Sequence, residues 1–139
     1  MLKKIQNSLV GLSLIILTGC APKTKSLLDF DKYKNISTEI VKIDVDWDID
    51  DSKPIEFTII EKSEIDYILN ILFDKNTFVY RDRSEVDGGH SNIGLIDKEN
   101  NEKRVNLSNV YDGNKRYTYC DTTLYDYIHS IGVNQGLLK

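Results

Sequence analysis

The sequence predicts an α+β domain built on a mainly antiparallel sheet with two helices, in the order β-β-α-β-β-β-β-α. Three observations carry this expectation. Short segments with alternating apolar and polar residues recur between Val41 and Tyr119, the period of strands with one buried face. Tight turn signals, Asp112-Gly113 the clearest, separate several of them, as antiparallel neighbours require. Only two stretches, around Ile65 and Leu124, repeat apolar residues at helical spacing.

In chain order, Val41, Ile43, Val45 and Trp47 alternate with Lys42, Asp44, Asp46 and Asp48, which reads as a half-buried strand. The cluster Asp50-Asp51-Ser52-Lys53-Pro54 turns the chain, and Ile55, Phe57 and Ile59 form the returning strand of a hairpin. Ile65, Ile68, Leu69, Leu72 and Phe73 then fall at i, i+3, i+4, i+7 and i+8, one apolar helix stripe, with Ser63 and Asp66 in a capping-box pattern. Thr77 to Arg83 is β-rich and is broken by Asp87-Gly88-Gly89-His90. Ser91 to Ile96 and Arg104 to Leu107 form strands around the turn at Lys98 to Glu102, and Asp112-Gly113 joins Val110-Tyr111 to Arg116 to Tyr119. A last helix follows Asp121, with Leu124, Ile128 and Ile131 on one face and Gly132 as its stop.

Charge narrows the function classes. The 139 residues carry 18 Lys+Arg and 22 Asp+Glu, a formal net charge of −4. Lys3 and Lys4 are the only charged residues before Cys20, so cleavage there leaves 120 residues with 16 basic and 22 acidic side chains, net −6. That acidic balance with no basic stripe excludes nucleic acid as the expected partner, because phosphate contacts need clustered Lys and Arg. At 40% hydrophobic and 29% charged residues the chain is globular in composition.

The first twenty residues, MLKKIQNSLVGLSLIILTGC, join a short basic region to the apolar run Leu9 to Leu17. Nine residues are too few for a membrane-spanning helix, which needs about 20; they have the length and flanks of an export signal. Leu17-Thr18-Gly19-Cys20 resembles the lipobox of bacterial lipoproteins: aliphatic, small, small, then Cys. The resemblance implies a signal peptide over 1–19 and lipidation of Cys20. Acyl chains, palmitate among them, would then hold the protein on a membrane at the extracytoplasmic side of the cell envelope. Residues 20–35 read as the lipidated Cys and a flexible tether of about 20 Å root-mean-square reach. Residues 36–139 read as one α+β domain. The segments from 55 to 131 also resemble an uncharacterised family of small exported or lipid-anchored domains of low-GC Gram-positive bacteria. The resemblance rests on Ile59-Ile60-Glu61-Lys62-Ser63-Glu64-Ile65, a Gly-Gly loop, the turn Asp97-Lys98-Glu99-Asn100 and a Tyr-rich final strand and helix. It brings no activity with it.

Candidate sites are few. Asp44, Asp46 and Asp48 lie two apart on one strand face and form a row of carboxylates. The EF-hand spacing fails there, because Asp51 and Phe57 stand where Gly and Glu are needed. The row reads first as a solvated face, with a hard cation such as Ca²⁺ or a cationic protein as the functional alternatives. Tyr111, Tyr117, Tyr119, Tyr125 and Tyr127 form the second candidate, a tyrosine cluster in which Tyr117 and Tyr119 share one strand face, Tyr111 lies opposite across the hairpin, and ordinary cross-strand packing is the alternative. Cys120 beside Asp121 reads as a buried, inert thiol rather than a nucleophile. His90 and Ser91 are neighbours whose side chains point apart, and the two histidines match no zinc spacing. No catalytic set, cofactor or metal is expected. The chain thus reads as a non-enzymatic, membrane-anchored binding module with an envelope protein as its partner. Alternatively, it is an inhibitor or immunity lipoprotein that holds a secreted cationic lysozyme or toxin.

Overall fold

The computed structural model describes residues 23–49, 53–81 and 90–139. The signal peptide, the lipobox with Cys20, Asp50-Asp51-Ser52 and the glycines of the Gly88-Gly89 loop lie outside those residues. The elements are β1 (Thr24–Lys25), a 3-10 turn (Leu27–Asp29), β2 (Ile40–Trp47), β3 (Ile55–Ile59), α1 (Lys62–Leu72), β4 (Phe78–Arg81), β5 (Asn92–Asp97), β6 (Glu102–Asn106), β7 (Asn109–Asp112), β8 (Lys115–Tyr119) and α2 (Thr123–Asn134). The fold is α+β and every strand pairing is antiparallel.

The strands form two four-stranded sheets, ordered β1-β4-β8-β7 and β3-β2-β5-β6. Five strands lie between the helices where the sequence order counts four, because the β6 and β7 segments are separated only by Leu107 and Ser108. Alternation decides the inner faces. Ile43, Val45 and Trp47 pair with Ile59, Phe57 and Ile55 across the first hairpin, and all but the half-buried Ile55 are buried. Val41 breaks the pattern and is 51% exposed, because the register shifts between Ile40 and Lys42 and turns it off the core face. The turn after β5 is built by Asp97, whose carboxylate accepts the backbone N–H groups of Glu99 and Asn101 at 3.0 and 2.9 Å. Asn100 takes the left-handed conformation there, with φ 67.

Helix α1 buries Ile65, Ile68, Leu69 and Leu72, the stripe seen in the sequence. Its start differs. Glu61 is the N-cap, without a side-chain cap bond, and its carbonyl receives the N–H groups of Glu64 and Ile65. Ser63 lies inside the helix. At the other end of the chain, Gly132 does not stop α2 but is buried within it. The stop is Gly136, with φ 75: Leu137 N–H donates to Gly132 O and Gly136 N–H to Val133 O, the paired bonds of a Schellman ending.

The largest correction concerns residues 24–35. Leu27, Phe30 and Tyr33 belong to the hydrophobic core, so this stretch is not a tether. The Phe30 ring meets Phe78 and Tyr117 edge-on at 5.4 and 5.1 Å. Ser26 and Asp29 form a capping box around the 3-10 turn, and β1 pairs with β4. Leu27, Phe30 and Tyr33 recur every three residues, the spacing of a 3-10 turn, but the run is too short and too polar around them to mark an element in the sequence.

Candidate binding surfaces

The outer face of the β3-β2-β5-β6 sheet carries the acidic row. Asp44 accepts the Thr58 hydroxyl at 3.0 Å and faces Lys42 at 3.7 Å. Asp46 pairs with Arg104, whose guanidinium also reaches Glu102 at 3.2 Å. Gly94 makes room for this bridge: it pairs with Arg104 in the register, and a Cβ there would run into the Glu102 carboxylate. The row is thus an internally paired network. Asp48 stands apart, its main-chain N–H held by the Ser91 hydroxyl at 3.0 Å. Among the described residues no group of three or more His, Cys, Asp or Glu could hold a metal ion. His90 is exposed while Ser91 is buried against β2, so the two do not act together.

The three strand tyrosines of the cluster separate. Tyr117 is 4% exposed, under Phe30 and beneath the Lys25 ammonium at 4.9 Å. Tyr119 donates its hydroxyl to Asn106 O at 2.9 Å and packs on Phe78; burial raises its phenol well above the usual range. Tyr111 is 61% exposed. It pairs with Arg116 rather than Tyr117, so it lies on the other side of the sheet. A strand register one residue away from the expected one puts it there. Of the three, only Tyr111 presents its ring broadly to a partner.

Two open concavities border α2. One, about 360 Å³, lies between the end of α1 and the turn into α2 and is lined by Tyr67, Asn70, Asp74, Tyr119, Cys120 and Asp121 among others. Cys120 is exposed at its rim rather than buried as expected, because it lies just past the end of β8; partial desolvation, and then Asp121, push its thiol above its ordinary value, which disfavours the nucleophilic thiolate. The other is a groove of about 640 Å³ beneath the end of β2. Trp47 forms its floor, its ring tilted by 40° against Tyr125 at 4.4 Å and by 47° against His129 at 5.5 Å. Ile49, Leu137, Asp48, Asp126 and Lys139 stand around these rings. Tyr125 and His129 are four apart and therefore share one face of α2, a signal present in the sequence. The approach of Trp47 from β2 is a tertiary fact and was not.

No family model matches the chain, and neither the curated proteins nor the solved structures include a significant match to it. Among the described residues no helix is long and apolar enough to cross a membrane.

Proposed function

We propose that this chain is a lipid-anchored binding module of the extracytoplasmic cell envelope, attached through Cys20 and acting without catalysis. The observation that carries the binding role is the Trp47–Tyr125–His129 groove. Rings packed against one another at a concave, partly exposed surface offer large contact area at little conformational entropy, and aromatic residues dominate binding hot spots. The envelope location rests on the lipobox Leu17-Thr18-Gly19-Cys20.

A narrower reading is an inhibitor or immunity lipoprotein that captures a cationic secreted protein. Asp48 and Asp126 beside the aromatic rings favour it, since a Lys or Arg side chain seated on a ring face gains from both. Asp44 and Asp46 favour it less, being engaged by Lys42, Thr58 and Arg104.

The test is crosslinking of the lipidated protein in intact cells, followed by mass spectrometry of what is recovered. One partner should be captured by the wild type and lost by about tenfold or more with Tyr125→Ala. Equal capture by that variant would sink the groove as the binding site. A basic partner whose association slows steeply with added salt would select the inhibitor reading.

A further inference from the structure

We propose that one end of the β1-β4-β8-β7 sheet is a membrane-contact surface, held on anionic phospholipid headgroups by Lys23, Arg81 and Lys115 with Tyr80 and Tyr111. This rests on lipidation of Cys20 and goes beyond it, because an anchor alone sets no orientation.

The argument begins with chain length. Lys23 O accepts the N–H of Tyr80 at 3.1 Å, and β1 pairs with β4 from Thr24 onward. The chain is therefore fixed to the sheet from Lys23. Three residue steps separate Lys23 from Cys20, a span of at most about 10 Å when fully extended. A headgroup layer is about 5–8 Å deep. A lipidated Cys20 cannot leave this end of the sheet far from the bilayer surface.

The register identifies what lies at that end. β1 enters beside Tyr80, Arg81 pairs with Arg116, and Arg116 pairs with Tyr111. The β7–β8 turn then begins with Asp112 opposite Lys115. Lys23, Tyr80, Arg81, Tyr111 and Lys115 are all exposed. Among the described residues here the acid is Asp112, and Lys25 already engages it at 2.7 Å. In a lipidated chain of 16 basic and 22 acidic side chains, net −6, cations gathered where the anchor attaches are complementary to an anionic bilayer. Tyrosines with an apolar ring and a polar tip suit its interface. Residues 82–87 lie outside the described part and include Asp82, Arg83, Glu85 and Asp87, so the test reverses the three named cations instead of relying on overall charge.

The full lipidated protein is reconstituted into phosphatidylcholine vesicles with and without phosphatidylglycerol, and amide hydrogen exchange is followed. Exchange at Tyr80–Arg81 and through the β7–β8 turn should be severalfold slower on the anionic vesicles, with α1 unchanged. The charge-reversal variant Lys23→Glu, Arg81→Glu, Lys115→Glu should lose that protection, while unchanged α1 exchange reports an intact fold. Identical exchange on both vesicle types, from protein that floats with them, would overturn the contact surface and leave the anchor standing. Protein that floats with neither would overturn lipidation at Cys20, and this proposal with it.

Discussion

The hydroxyl of Tyr33 donates to the main-chain carbonyl of Arg104 at 2.6 Å. β6 is an edge strand, and Tyr119 donates to its Asn106 carbonyl at 2.9 Å. Two tyrosines from distant parts of the chain thus satisfy the outward carbonyls of one edge, which would otherwise invite pairing with another chain. Tyr33→Phe should lower stability by about 1 kcal/mol, read as a lower denaturant midpoint at unchanged slope. No shift in that midpoint would mean the bond contributes nothing.

The same two phenols make stability fall in alkali. Burial raises both above the ordinary value of 10.0, so above that pH the unfolded chain loses protons that the native state keeps. Their contribution is complete below about pH 10 and declines as pH rises further. Equilibrium unfolding measured from pH 9 upward should show this decline, and the double variant Tyr33→Phe, Tyr119→Phe should flatten it. An identical slope in the double variant would assign the alkaline loss to other groups.

Leu27 is fully buried in the core although it lies only seven residues beyond Cys20. Leu27→Ala should therefore cost about 2–5 kcal/mol, where the same change in a flexible tether would cost nothing measurable. Thermal unfolding distinguishes the two.

Gly132 illustrates packing against propensity. Alanine would favour the helix by about 1 kcal/mol, but its Cβ would come within 2.8 Å of Leu138 Cγ and 3.1 Å of Phe57 Cζ. Overpacking of this kind costs about 1–3 kcal/mol, so Gly132→Ala should be destabilising on balance. The double variant Gly132→Ala, Leu138→Ala should lose less than the sum of the two single changes. Strict additivity would remove the clash as the cause.

Cys120 is exposed but should still alkylate slowly at neutral pH, since partial desolvation and the neighbouring Asp121 both raise its thiol. Asp121→Asn removes the charge and can still accept the Thr123 N–H that caps α2. It should quicken reaction with iodoacetamide on the order of threefold. An unchanged rate would assign the shift to burial alone.

Where burial follows the backbone period, the sequence was sufficient. The alternation of Ile43, Val45 and Trp47 fixes their common face, the i, i+3, i+4 stripe fixes the buried side of α1, and Asp112-Gly113 fixes the β7–β8 turn. Such features are legible because neighbouring residues alone determine them. The remainder depended on distant partners. The division into two sheets, the core packing of Leu27, Phe30 and Tyr33, the burial of Tyr117 and the meeting of Trp47 with Tyr125 and His129 all join segments far apart in the chain. No local period records such contacts, because hydrophobic burial rewards whichever surfaces come together and carries no trace of sequence distance.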